Sequence, residues 1–308
     1  MKTYREFLDF VMENITEYLS PEYADSSVQV VKVIKNNDMA LEGLTICKEK
    51  NGASPTIYLE QYYSRVVQGA DEIQVLESIA ADYEEAAEYY AHLVDFDISD
   101  WNFVRGKVGY YLVSKELNKE RLKEKVSKTI GDMAKVYIII ADFKTSGFNF
   151  TLIPQEMLPE WGVSEDELDK AAEDNMLVRF PPVLFSMDAA LKEKYAGRPA
   201  PNLLRKGRNP GNEIMYVLTN RSRLNGASVI LYPGLLQKVR DLFGKDYYII
   251  PSSVDEVIIV PHREDIRGFV LEEILRERNE DEMRGMVLSN TVYEYTEEAH
   301  RMMPVAVQ

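Results

Sequence analysis

Seven side chains within one stretch have the chemistry to hold an anion: Arg205, Lys206, Arg208, Asn220, Arg221, Arg223 and Asn225. Arginine offers a rigid fork of N–H donors that matches phosphate or carboxylate, lysine adds a point charge, and asparagine amides add neutral donors. Residues 194–223 carry Lys194, Arg198, Arg205, Lys206, Arg208, Arg221 and Arg223 against Glu213 alone, a local charge of +6 in a chain of net charge −15. Such an island either focuses an anionic ligand or is absorbed by the protein's own excess of carboxylates.

Two other groupings invite a chemical reading and lose it on geometry. Ser252, Ser253, Asp255 and His262 supply the residue types of a nucleophile, an orienting acid and a base. A serine nucleophile needs its base within hydrogen-bond reach. The apolar run between Asp255 and His262 reads as a strand, which holds the two about 20 Å apart. Pro-Ser-Ser then reads as a turn whose hydroxyls satisfy nearby backbone groups. Glu84, Glu85, Glu88 and His92 share helix-face spacings that suit a divalent cation, but a solvated acidic face needs no metal. Asp95, Asp97 and Asp100 lack the glycine and terminal glutamate of a calcium loop and read as turn and cap residues.

Familiar catalytic signatures are missing. The sequence has no phosphate-binding glycine loop ending in Gly-Lys-Ser or Gly-Lys-Thr, no G-x-S-x-G, no S-x-x-K and no H-E-x-x-H. One cysteine, Cys47, excludes a thiolate zinc site and an internal disulfide. The residues therefore point to no catalytic set, no metal and no cofactor.

The elements that must position these groups follow from periodicity. Phe7, Phe10, Val11, Ile15 and Tyr18 predict a helix over 3–19, stopped by Ser20-Pro21. Strands are expected at 28–34 and 40–47 around Asn36-Asn37-Asp38, with a helix over 56–67. Asp71 caps an acidic helix whose apolar seam predicts packing within the chain. A short helix near Trp101, a strand at 108–113 and a charged helix over 115–130 come next. A second hairpin, 135–143 with 148–153, follows. A turn of helix is expected at 154–160, and Ser164 with Glu167 forms a capping box. Residues 179–212 read as a proline-rich loop carrying one helix near 187–195.

From Met215 to Pro261 the sequence predicts two strands flanking Asn225-Gly226, a helix over 233–243, and two more strands around Pro251–Asp255. A helix over 262–278 and a strand at 292–295 close the order, with MMPVAVQ frayed. Hairpin followed by helix recurs at 28–67, 135–174 and 247–278. The expected class is α+β: mainly antiparallel sheets built from hairpin–helix units, with helices covering one face. A length of 308 residues suggests two domains, here 1–130, helix-rich, and 131–308.

Several segments resemble one uncharacterised bacterial family, a domain of unknown function. They are GLTI (43–46), SPTIYL (54–59), MYVLTN (215–220), NGAS (225–228), YYIIPSSVDEV (247–257) and LSNTVYEY (288–295). The resemblance spans nearly the whole chain and implies a bacterial, cytosolic protein of single full-length architecture. It supplies no activity. The run LPEWGVSEDELDKAAEDN at 158–175 is similar to a helix of another uncharacterised bacterial family.

A membrane helix needs about 18 consecutive apolar residues, and no run approaches that. The N-terminus is dotted with acids rather than apolar, unlike a secretory signal, so a cytoplasmic location is expected. The net negative charge argues against nucleic acid as a partner. Two functions fit: a non-enzymatic interaction or accessory protein with a protein partner, or an enzyme or small-ligand binder using the basic block at 205–225. Convergence of those arginines on a concave pocket favours the second.

Overall fold

The computed structural model describes residues 2–47, 54–91, 97–144, 147–281 and 284–305. The chain forms two compact units, Met1–Lys35 with Met39–Phe96, and Asn36–Asp38 with Asp97–Gln308. The division falls near residue 96. Residue 130, where a boundary was expected, lies inside the second unit at a tight turn between paired strands.

In the first unit, Thr3 and Glu6 close a capping box at the start of α1 (Tyr4–Asn14). Strands β1 (Ser27–Ile34) and β2 (Ala40–Cys47) pair antiparallel, and β3 (Ile57–Tyr58) joins β2. Helices α2 (Glu60–Val67) and α3 (Glu72–Ala91) follow. Asp71 accepts from the N–H groups of Ile73 and Gln74, the expected cap. Val75, Leu76, Ile79, Ala80 and Tyr83 of α3 are buried with Phe7, Leu8, Val11, Leu44 and Ile46. The acidic helix therefore spends its apolar seam on its own unit's core.

The second unit holds two sheets, and every described strand pair in it is antiparallel. After α4 (Trp101–Val104), strands β4 (Val108–Ser114), β5 (Ser127–Ile130), β6 (Met133–Lys144) and β7 (Gly147–Leu152) form one sheet centred on β6. Helices α5 (Met157–Trp161) and α6 (Glu165–Arg179) follow, the latter started by the Ser164–Glu167 capping box and packed against β4.

The other sheet has the order β13-β12-β10-β11-β9-β8. Its strands are β8 (Pro182–Ser186), β9 (Tyr216–Asn220), β10 (Tyr247–Ile250), β11 (Val257–Pro261), β12 (Tyr293–Tyr295) and β13 (Met302–Pro304). Its helices are α7 (Met187–Ala196), α8 (Leu235–Phe243) and α9 (Gly268–Asp281). On one face Phe185, Val217, Ile258 and Val260 pack with Leu271 and Leu275 of α9. Every residue of β9 and β11 is buried, so both faces of the sheet centre are covered.

The α+β class with antiparallel hairpin–helix units is what the structure has, and several local expectations change. Residues 115–130 form turns and then β5, not a charged helix. Asn118 turns inward to bond Asn37 and the Ser114 carbonyl, while Asp38 accepts the N–H groups of Glu120 and Arg121. These bonds offer the backbone more than helix propensity does. The helix expected from His262 begins at Gly268. Met302–Pro304, expected to fray, pairs with β12 as β13.

One buried ion group fastens α6 to its sheet. Lys135 of β6 is 4% exposed and pairs with Asp169, with Glu173 at 3.6 Å. Its Nζ lies 4.0 Å from the centroid of the Tyr110 ring. Burial pushes the Asp169 carboxyl up, but Lys135 and Lys128 outweigh it and hold the group below the usual carboxylate range. A depressed carboxylate stabilises the fold above its unfolded-state pKa, and that stabilisation is lost as pH falls through the lower folded value. Asp169→Asn should cost about 2–4 kcal/mol at pH 7 in urea unfolding, because it strips Lys135 of its closest counter-charge. The gap to wild type should close as acid protonates Asp169.

Candidate anion pocket

The pocket is built at the edge of the second sheet by three segments. Strand β8 is the edge strand, with outward-facing backbone groups that a partner strand would normally take. A strap at 199–204 takes them instead. The Leu203 N–H donates to the Leu184 carbonyl at 2.7 Å, and Asn202 Oδ1 accepts from Leu184 N at 3.1 Å. Asn202 Nδ2 reaches the Pro182 carbonyl at 3.3 Å. The strap blunts an edge that would otherwise invite pairing with another chain. It also delivers Arg205 and Arg208, whose loop is tightened by Arg205 N–H to Asn202 O and Arg208 N–H to Arg205 O.

The third segment is the turn after β9. Arg221 N–H donates to the Pro181 carbonyl at 3.0 Å, continuing the β8–β9 ladder. Arg223 and Asn225 both take left-handed backbone, φ +59° and +49°, a conformation asparagine tolerates and arginine rarely adopts. Between and beyond them the chain is bonded down. Asn220 Nδ2 donates to the Leu224 carbonyl at 2.8 Å, Ser222 Oγ donates to Asn220 Oδ1 at 2.8 Å, and Asn225 N–H donates to Asp255 Oδ1 at 2.7 Å. Residues 226–231, expected as a strand, form a 3-10 helix instead. Its first residue, Gly226, lies in a crowded place. A Cβ there would stand 2.0 Å from Thr219 Oγ1, 2.5 Å from the Asp255 carbonyl oxygen and 2.9 Å from Asn220 N.

Arg205, Arg208, Arg221 and Arg223 line one hollow of about 720 Å³, with Pro181, Pro182, Val183, Pro199, Ala200, Pro201 and Glu193 among the other lining residues. Four guanidinium groups against the Glu193 carboxylate leave three positive charges over among the lining residues. Arg223 pairs with Glu193 and lies over the Phe185 ring, 4.7 Å from its centroid. Among the described residues no carboxylate pairs with Arg205, Arg208 or Arg221.

Of the seven residues singled out by sequence, four meet at the hollow. Lys206 is exposed but is not part of its lining, and Asn220 and Asn225 are framework, holding the turn that carries Arg221 and Arg223. Glu193, Asn202 and the proline lining were not foreseen. The density of prolines in 179–212 was their one visible trace.

The other candidate groupings take structural roles. Ser252 Oγ accepts from Arg278 at 2.6 Å, and Ser253 Oγ accepts from Asp255 N–H at 3.2 Å. His262 stands past the far end of β11 against Tyr248, with ring centroids 4.2 Å apart. Burial holds its ring below the usual histidine range, against the opposing pull of Glu294. Asp97 and Asp100 accept from the N–H groups of Ser99 and Asn102, the turn and cap duty expected of them. Glu84 accepts from Ser20 N–H at 2.6 Å, while His92 and Asp95 lie outside the described residues. No group able to hold a metal ion occurs among the described residues.

Two measurements check the turn. Gly226→Ala should destabilise by about 3 kcal/mol or more in urea unfolding, because backbone atoms rather than flexible side-chain ends must move. Burial pushes the Asp255 carboxyl above its usual range, against the Asn225 N–H bond. A raised carboxylate favours the folded state at low pH and costs stability above its folded pKa. Asp255→Asn, which keeps an acceptor for Asn225, should therefore melt higher than wild type at pH 7. The advantage should vanish once acid neutralises Asp255 in both states.

The model of a family of unknown function, DUF5688, matches residues 4–297. No curated protein and no solved structure matches the chain. With the match covering nearly all of the sequence, the chain belongs to DUF5688, a family of unknown function.

Proposed function

We propose that the protein binds a phosphorylated small molecule in the pocket lined by Arg205, Arg208, Arg221 and Arg223. The observation that carries this reading is the convergence of four arginines on one hollow whose lining includes a single carboxylate. Three surplus positive charges match a phosphate ester or diphosphate better than a lone carboxylate. Guanidinium forks also bind phosphate oxygens in pairs. A hollow of about 720 Å³ is the size of a small-molecule site, and its prolines offer an apolar wall beside the charges. The same convergence favours ligand binding over a purely interaction-based role, for which a flat spread of charge would be expected.

A cytoplasmic setting belongs to the same proposal. Phosphorylated metabolites are abundant there, and the single Cys47 leaves the chain without an internal disulfide. No helix among the described residues is long and apolar enough to cross a membrane.

The test is a thermal-shift screen against pyrophosphate, nucleotides and sugar phosphates, followed by calorimetry. A ligand of the folded state raises the melting temperature by mass action, and the rise grows with the logarithm of ligand concentration above its dissociation constant. Arg221→Ala should leave the apo melting temperature near wild type, since the side chain is exposed. It should weaken binding by about 1.5–3 kcal/mol, the scale of a charged hydrogen bond. Absence of binding to every phosphorylated probe, or binding indifferent to Arg221→Ala, contradicts the reading.

A further inference from the structure

Glu193 is the acidic residue of the pocket lining, and its position is that of a ligand. One carboxylate oxygen, Oε2, pairs with Arg223 Nη2 and also accepts the Ala200 N–H at 3.3 Å. Three segments thus meet on a single carboxylate: α7 through Glu193, the strap through Ala200, and the turn after β9 through Arg223. Neither member of the pair is deeply buried, with side-chain exposures of 33% for Glu193 and 44% for Arg223. Water can therefore reach the pair, and exchange of its anion carries no large desolvation barrier.

Arg223 does not depend on Glu193 for its place. Its guanidinium rests on the Phe185 ring, its N–H donates to the Asn220 carbonyl at 3.2 Å, and its left-handed backbone is fixed by the Asn220–Leu224 turn. An arginine so held stays aimed at the hollow when its carboxylate partner leaves. Arg205, Arg208 and Arg221 have no such partner among the described residues, so Glu193 neutralises one particular arginine of the four.

On the phosphate-pocket reading, we infer that Glu193 is a resident competitor for the anion site. Its carboxylate occupies Arg223 in the empty pocket, and a ligand phosphate displaces it. Exchange frees the Glu193 carboxylate to water and recruits Arg223 as the fourth guanidinium on the ligand. Glu193 thereby sets a threshold that favours ligands of higher negative charge. A monoanion gains little by evicting a carboxylate, whereas a diphosphate can hold the three unpaired arginines and compete for Arg223 as well.

The experiment is isothermal calorimetry with inorganic pyrophosphate on wild type, Glu193→Gln, Arg223→Ala and the double variant. Glutamine keeps an oxygen for the Ala200 N–H, and a thermal melt confirms that each variant is folded. Glu193→Gln should bind pyrophosphate about fivefold more tightly than wild type, the scale of one exposed ion pair. That gain should disappear in the Arg223→Ala background, because the competition is for Arg223. Weaker binding by Glu193→Gln would mean that Glu193 positions the pocket instead, and overturns the inference. A gain that persists without Arg223 would reduce the effect to lost charge repulsion and also overturns it. Should Glu193→Gln fail to fold, a crystal structure of the wild type with pyrophosphate decides: Arg223 on the phosphate supports exchange, and Arg223 still on Glu193 refutes it. Failure of the pocket reading itself looks different, since wild type and Arg221→Ala would then be equally indifferent to pyrophosphate.

Discussion

The hydrogen bond from Asn225 N–H to the Asp255 carboxylate, 2.7 Å long, is the contact on which the pocket's architecture turns. It ties the turn after β9 to the turn before β11, and Thr219 Oγ1 donating to the Asp255 carbonyl at 2.6 Å ties the same two places a second time. Between these bonds Gly226 passes so close to backbone that no side chain fits. A half-buried carboxylate is costly, and the raised pKa of Asp255 records that cost. The return is a turn that cannot drift, and on it sit Arg221 and Arg223.

A locked pair of strands on one side and a hydrogen-bonded strap on the other frame the hollow at the sheet edge. Strands β8 and β9 are locked by their ladder and by burial of every β9 residue. The strap at 199–204 is held by Asn202 and Leu203 and then releases Arg205 and Arg208 into solvent. Closing a strand edge and presenting arginines are therefore done by one segment. The charge pattern of the chain makes sense in this light. In a protein of net charge −15, guanidinium groups would be expected to find carboxylates, yet among the described residues Glu193 is the carboxylate in ion-pair contact with this cluster, while the Glu256 carboxylate interacts with Arg223 only through its charge.

Much of this was legible in the sequence because it is written in local chemistry. Capping residues Asp71, Asp100 and Ser164 act as their identities imply, and the hairpins at 27–47 and 133–152 follow from apolar, β-branched runs around turn residues. The arginine block was visible as composition, and four of its residues do converge. The misreadings share one cause, which is tertiary structure overruling local preference. The charged run 115–125 has helical composition, but Asn118 and Asp38 draw its backbone into turns. The apolar run 229–232 looks like a strand, yet residues 226–231 form a 3-10 helix whose Ala227 N–H is taken by the Val254 carbonyl. Glu193, thirty residues from Arg223, gave no signal at all, since pairing across a strap and a strand has no sequence period.

The most direct test of the phosphate pocket is side-chain NMR of the arginine Nε–Hε groups during a titration with pyrophosphate. The account predicts saturable shifts confined to Arg205, Arg208, Arg221 and Arg223, all fitting one affinity that falls as salt rises. Shifts that are absent, non-saturating, or centred on arginines elsewhere, such as Arg263 and Arg267, would contradict it.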